Sequence, residues 1–238
     1  ATIKLYDNLK IGANIIYTHK DNNRRLDPLN QANKIYPFGK PYDDNGNIVL
    51  YPVLGQTFAI SPLADEIEGA FVDNRIGKRI FTSSFLDWKI IKNLSFRSTI
   101  GLDIQNDRRG YYLNKNTIQQ NGGQSTSGIE INNTNNYTWE NTLTYNKVIG
   151  KHDLNFLLGN SYIKNSLESV QASGSDQVSD INTYYNLASN SNSVAISSSL
   201  VESNLQSVFG RINYKLLGKY LFTASLRADG ASVLAKGN

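Results

Sequence analysis

The sequence predicts an all-β fold: an antiparallel, up-and-down transmembrane β-barrel wall of about eight strands. Three observations predict it. Long segments alternate apolar and polar residues with period two, as a strand with one apolar and one polar face does. The connections alternate strictly between short turns and long loops. Tyr and Trp gather near both ends of the strands. The composition agrees: 14 Tyr among 238 residues, no Met, abundant Asn, Ser and Thr, and no long Leu/Ala/Glu/Lys stretch at helical spacing.

Taken in order, residues 1–6 form the first strand and residues 9–19 the second, with Leu9, Ile11, Ala13, Ile15 and Tyr17 on one face. A third, near 78–90, alternates less cleanly, though Leu86, Trp88 and Ile90 agree. The fourth, 94–112, sets Leu94, Phe96, Ile100, Leu102 and Ile104 against Ser95, Arg97, Thr99, Gly101, Asp103 and Gln105. The fifth, near 131–147, sets Tyr137, Trp139, Leu143 and Tyr145 against Thr138, Glu140, Thr142 and Thr144. The sixth, 152–169, carries Leu154, Phe156, Leu158 and Tyr162. The last two flank Leu217-Gly218: Ile212, Tyr214 and Leu216 alternate with Arg211, Asn213 and Lys215, and Tyr220, Phe222, Ala224, Leu226 and Ala228 with Thr223, Ser225, Arg227 and Asp229.

Short turns fall at Asp7-Asn8, 91–93, 148–151 and 217–218; long loops fall at 20–77, 113–130 and 170–199. All short turns therefore lie at one end of the sheet and all long loops at the other. The loops "NGGQSTSG" (121–128) and "SNSNSVAISSS" (189–199) have the composition of solvated chain. The first long loop contains "YPFGKPYDDNGNIVLYP" (36–52), whose prolines, aromatics and Asn45-Gly46 turn signal an ordered segment with a small hairpin. Both chain ends read as cut: residue 1 is already in strand-like sequence, and residues 236–238 are loop-like.

Alternation alone does not say what the apolar face touches. In a soluble β-sandwich it meets a second sheet; in an outer-membrane barrel it meets lipid. Strand length, loop asymmetry and the two aromatic clusters favour the membrane. In lipid every backbone polar group needs a partner, so the sheet must close, either as a small filled barrel or as part of a larger one. Two alternatives stay open: a small outer-membrane barrel with an adhesive or structural role, and a soluble β-sandwich glycan-binding module.

"FGRINYKLLGKYLFTASLRADGAS" (209–232) resembles the barrel of SusC/RagA-type TonB-dependent transporters of Bacteroidota. The matching residues are Phe209-Gly210-Arg211, Asn213-Tyr214, Tyr220-Leu221, Thr223, Ser225, Arg227 and Asp229-Gly230, with Ala231 where a Ser is usual. "LDWKIIKNLSFRSTIGLD" (86–103), "YTWENTLTYNKVIGKHDLNFLLGNSY" (137–162) and "SPLAD" (61–65) extend the resemblance. It implies that 1–238 is part of one receptor barrel domain of roughly 22 strands, with the plug domain and C-terminal strands outside the sequence and 20–77 as a long extracellular loop. It also implies TonB-dependent import of oligosaccharides or peptides across the outer membrane. The expected partners are a SusD-like surface lipoprotein, the TonB complex through an N-terminal region, outer-membrane lipid and the substrate.

The site candidates follow from this geometry. Tyr36, Phe38, Tyr42 and Tyr51 in the first long loop suit stacking on sugar rings or peptide side chains. Arg97, Asp103, Glu140, Arg211, Arg227 and Asp229 fall on polar faces, where plug or substrate contact is the expectation. Trp88, Tyr137, Trp139, Tyr145, Tyr214 and Tyr220 are the aromatic girdle. Catalysis and cofactors are not expected. The chain has no Cys, which removes thiolate chemistry, and its two histidines, His19 and His152, lie apart. "DDNG" (43–46) lacks the spacing of a calcium loop and reads as a turn. Net charge is +4 with basic residues scattered, including Lys89, Lys92, Lys147, Lys151, Lys215 and Lys219 around the short turns, so no nucleic-acid partner is expected.

Overall fold

The structure is a computed structural model that describes residues 1–234; the loop-like stretch 236–238 lies outside the described residues. One antiparallel sheet holds eight strands in sequence order. They are β1 (Thr2–Tyr6), β2 (Leu9–Asn23), β3 (Phe71–Ile91), β4 (Leu94–Leu113), β5 (Thr126–Ile149), β6 (His152–Gln177), β7 (Asn190–Leu216) and β8 (Tyr220–Ala231). β1 and β8 end the order, so the sheet is an open arc.

Register shows why the sequence folds this way. Leu9, Trp88, Phe96, Leu143, Leu158, Gly210 and Leu226 lie directly opposite one another from strand to strand. They therefore share one face. Continuing along the strands, the apolar belt runs over Leu9–Tyr17, Ile80–Trp88, Leu94–Ile104, Tyr137–Tyr145, Leu154–Tyr162 and Tyr220–Ala228. These stretches match the roughly 9–11 residues that a tilted strand needs to cross hydrocarbon. The face has no second sheet against it: Ile15 is 70% exposed and Leu226 80%. This excludes a sandwich packing of the described residues.

The strands run well past the belt. β5 has 24 residues, β6 has 26 and β7 has 27. At a rise of roughly 3.3 Å per residue they are more than twice as long as a hydrocarbon core of about 30 Å is thick. The long loops are correspondingly shorter than the sequence suggests. The segment read as loop over 20–77 is loop only over 24–70, because β2 continues to Asn23 and β3 begins at Phe71. Likewise 126–130, 170–177 and 190–199 are strand. "SNSNSVAISSS" hides its strand because from Ser191 to Ser199 both faces are exposed, which leaves no burial to impose alternation. Its pairing with β6, from Ser173↔Ala195 to Ser169↔Ser199, is held by backbone alone.

The buried apolar residues gather at the long-loop end: Ala59, Ile60, Ala64, Ala70, Phe71, Tyr112, Leu113 and Tyr184. Here loop 24–70, which contains the short helix α1 (Leu29–Ala32), packs on the tops of β3 and β4. Gln31 Nε2 donates to the Ile60 carbonyl at 2.9 Å and Gln56 Nε2 to the Lys34 carbonyl at 2.8 Å. Residues 36–52 are ordered, with a small antiparallel bridge between Tyr42 and Ile48. The turn inside it is made by Asp43, whose Oδ1 accepts the Asn45 and Asn47 N–H groups, so "DDNG" is a turn closed by its own side chain.

Candidate functional site

The polar face is the inner one of a barrel, and above the belt it carries a dense array of charge. Two adjacent cross-strand rows define it. One runs Lys20, Gly77, Asp107, Asn132, Ser169, Ser199, and the next runs Asn22, Arg75, Arg109, Glu130, Gln171, Ser197. β2 to β7 each contribute one residue per row, because opposite residues in an antiparallel ladder share a face.

Arg109 anchors the array. Its Nε and second terminal nitrogen hold both Asp73 oxygens at 2.9 and 3.0 Å, and its remaining nitrogen holds Glu130 Oε1 at 3.1 Å. Burial pushes the Asp73 carboxyl up, but the Arg109 ion pair outweighs it and leaves the group below its ordinary value. Arg75 reaches Asp73 only at 3.7 Å, since Arg109 already occupies both oxygens. Lys20 makes no ion pair among the described residues. Asp107 takes one amide hydrogen from Gln105 Nε2 on Oδ2, and its Oδ1 leans over Gly77. Between these groups lies a cavity of about 370 Å³ lined by Lys20, Arg75, Asp107, Arg109, Glu130 and Asn132. A second cavity, of about 280 Å³, shares Glu130 and Asn132 and continues over Ser169, Gln171 and Ser197–Ser199. Together they form one transverse trough.

A recurring device stiffens this wall. Phe85 lies over Gly12, Tyr111 over Gly128 and Phe209 over Gly159; a Cβ on any of these glycines would come within about 2.5 Å of the ring. Each ring then carries an arginine. Arg97 lies 4.6 Å from the Phe85 centroid, Arg109 4.7 Å from Tyr111 and Arg227 5.7 Å from Phe209. The signal was present in the sequence as apolar residues on the polar face, Phe81 and Phe85 above all, which is why the third strand reads as irregular. Tyr111 is on the inner face and well above the belt.

The sequence-derived candidates fall into three groups. Arg97, Asp103, Glu140, Arg211, Arg227 and Asp229 all share the inner face. They do not form one cluster. Arg97 pairs with Asp87 at 3.2 Å, Arg79 grips Asp103 with two 2.7 Å bonds, and Arg227 pairs with Asp229 at 2.8 Å and donates to Ser207. Glu140 and Arg211 make no ion pair among the described residues. Trp88, Tyr137, Trp139, Tyr145, Tyr214 and Tyr220 share the apolar face; Trp139 Nε1 donates to Ser98 Oγ at 3.1 Å, and Tyr214 meets His152 Nδ1 at 2.6 Å. Tyr36 and Phe38 stack at 5.5 Å, exposed, while Tyr42 closes the small bridge and Tyr51 abuts Gly122 of the next loop. The buried loop core is built from Ala59, Ile60 and Ala64, while these four aromatics stay at least half-exposed or at its edge. The Lys20–Arg75–Asp107–Arg109–Glu130 array was not anticipated, because Lys20, Arg75 and Glu130 sit in sequence that reads as loop.

The long loops are tied together over the wall. Asp65 Oδ1 accepts the Ile118 N–H at 2.8 Å, joining loops 24–70 and 114–125, and Arg25 donates to the Asp65 carbonyl. Asp65 Oδ2 is buried with no partner among the described residues, and burial pushes this carboxyl above its ordinary value. On the outer face Tyr184 of loop 178–189 lies on Gly110, and Asn114 Nδ2 donates to Asp180 at 3.0 Å.

An open arc of lipid-faced strands with a charged inner wall and loops at one end defines a wall segment of a large membrane β-barrel. No protein-family model matches the chain. It is 34% identical over 188 residues to TonB-dependent receptor P3 of Formosa agariphila, covering 76% of this chain and 19% of the receptor. It is 28% identical to TonB-dependent receptor P26 of the same organism, covering 99% of this chain and 24% of that one. Its fold matches the RagAB peptide transporter with a TM-score of 0.76 at 22% identity, over all of this chain and 28% of that one. In the open-open state of the RagAB peptide importer the TM-score is 0.77 at 21% identity. The chain thus spans about a fifth to a quarter of the length of the receptors it matches. The sequence matches place it among TonB-dependent receptors, and the fold matches give it the barrel-wall fold seen in the RagAB transporter. These relatives are receptors and importers rather than enzymes.

Proposed function

We propose that this wall belongs to a TonB-dependent importer of oligosaccharide or peptide nutrients, set in the outer membrane with its long loops outside the cell. The observation that carries this reading is the 34% identity to a TonB-dependent receptor over a sheet whose register gathers the apolar belt on one unpartnered face. The free edges of β1 and β8 fit a larger closed barrel, since unpaired backbone is not tolerated in hydrocarbon. On this reading a plug fills the lumen, TonB supplies energy through an N-terminal region, and a SusD-like lipoprotein covers the loop end. The tied loops 24–70, 114–125 and 178–189 offer that partner an ordered platform.

The test is uptake. Cells lacking the full-length gene should lose growth on one class of oligomeric nutrient and regain it with the gene, but not when tonB is deleted. Affinity purification of the full-length protein in mild detergent should bring down a lipoprotein in equal amount. Growth on every oligomeric nutrient tested, unchanged by the deletion, would refute import.

A further inference from the structure

The short-turn end carries a repeat for which passage through the lumen has no use. Three successive turns follow one pattern, two apolar residues between lysines: Lys89-Ile90-Ile91-Lys92, Lys147-Val148-Ile149-Gly150-Lys151 and Lys215-Leu216-Leu217-Gly218-Lys219. Turns in water favour Asn, Asp, Ser, Pro and Gly over aliphatic residues. Here Ile91, Val148, Ile149 and Leu217 are all exposed. Ile149, His152, Leu216 and Tyr220 lie opposite one another on the outer face, so the turns prolong the lipid-facing belt. None of the six lysines makes an ion pair among the described residues. Of the nearby carboxylates, Asp87 is taken by Arg97 at 3.2 Å and Asp153 lies on the inner face opposite Lys215. The first turn departs from the pattern, and there Lys4 pairs with Asp7. At the other edge of the belt the outer face mixes signs: Lys164 pairs with Glu202 at 2.9 Å, and Lys78 shares a row with Glu168.

We propose that these three turns form a collar for anionic phospholipid of the periplasmic leaflet, with the aliphatic tips in its head-group layer and Lys92, Lys147, Lys151 and Lys219 on lipid phosphates. The inference rests on the outer-membrane orientation given above. Lys147 points outward one step beyond Tyr145, roughly 7 Å along the strand. That depth falls within a head-group layer about 5–8 Å thick. Lys92, Lys151 and Lys219 sit in the turns themselves. A lysine stem lies along apolar surface while its ammonium reaches phosphate. Lys89 and Lys215 point inward and add only to the local positive potential. The repeat also favours lipid over a protein partner. Its apolar pair varies as Ile-Ile, Val-Ile and Leu-Leu, which keeps the chemistry and not the shape, as a fluid surface requires and a shaped interface does not.

The experiment titrates the full-length protein in mild detergent with phosphatidylglycerol and, separately, with phosphatidylcholine, and counts retained lipid by native mass spectrometry. The wild type should retain phosphatidylglycerol at least tenfold over phosphatidylcholine. Lys92→Gln, Lys147→Gln, Lys151→Gln and Lys219→Gln combined should lower that preference at least fivefold, and the same four positions as arginine should keep it. Lys151→Gln with Lys219→Gln, both exposed in turns, should lower it at least twofold, which keeps the test alive if the fourfold variant fails to fold. Equal retention of the two lipids, or a preference unchanged in both glutamine variants, would overturn the collar. A preference lost instead in Lys78→Gln with Lys164→Gln would overturn its place on the wall. Orientation is read separately: Ile149→Cys should stay unlabelled by an impermeant maleimide in intact cells. Labelling there would put the short turns outside and remove the importer reading itself, whatever the lipid result.

Discussion

The lower and upper halves of the same strands obey different rules. Between the short turns and Ile104, β4 alternates strictly, and each of its outward residues is apolar or, as with Ser98, bonded to a neighbouring aromatic. Above Ile104 the same strand carries Asn106, Arg108 and Gly110 outward and Asp107, Arg109 and Tyr111 inward. The backbone pairing is continuous through both halves. The difference lies in the medium: hydrocarbon imposes a hydrophobic face, whereas above it both faces meet water or loop, and ladder hydrogen bonds suffice.

Substitutions can break that comparison. The largest effect is expected from a charge on the outer face. Ile100→Arg, at mid-belt, should cost about 2–4 kcal/mol in vesicles, while Ser198→Arg, outward on β7 but above the belt, should stay within about 0.5 kcal/mol. Urea titration of the full-length protein measures both, and equal costs would dissolve the distinction. Next comes Gly110→Val, which drives a side chain into the Tyr184 ring and should cost about 1–3 kcal/mol of loop docking. Hydrogen exchange should rise over 178–189 and stay unchanged in the belt strands.

Two carboxylates at the loop end should respond to pH in opposite directions. Asp65 is raised, so its contribution is fully present below the ordinary value of 3.8 and is lost as pH rises through its higher folded value. Asp73 is lowered, so its contribution is present above 3.8 and lost as pH falls through its lower folded value. Hydrogen exchange over residues 114–125 should therefore rise between acid and neutral pH, and Asp65→Asn should remove that rise with the Ile118 N–H still bonded. Arg79→Gln is expected to matter least, at most about 1 kcal/mol, because its two bonds to Asp103 are half-exposed to solvent.

How much was legible follows from the same division. Leu94–Ile104 and Tyr220–Ala228 could be read residue by residue, because lipid enforces a period that sequence displays. The short turns were legible too: Leu217 and Gly218 both adopt positive φ, where a glycine next to basic residues marks a tight reversal. Residues 191–199 were not legible as strand, because Ser and Asn read as loop when neither face is buried. The charged trough escaped for the same reason. Lys20 and Arg75 fall in a stretch of 58 residues, 20–77, that reads as loop, and only register brings Lys20 into one row with Asp107 and Arg75 into one row with Glu130. Phe85, Tyr111 and Phe209 are large apolar or aromatic side chains on the polar face, and each covers a glycine on a neighbouring strand.

The most direct test is a single-cysteine spin-label scan of β4, Leu94–Leu113, in the full-length protein in vesicles. Oxygen accessibility should oscillate with period two from 94 to 104, high at Leu94, Phe96, Ile100, Leu102 and Ile104, and the oscillation should vanish from 106 onward. An oscillation of undiminished amplitude to 113, or none in the lower half, would contradict a wall that leaves the membrane at Ile104.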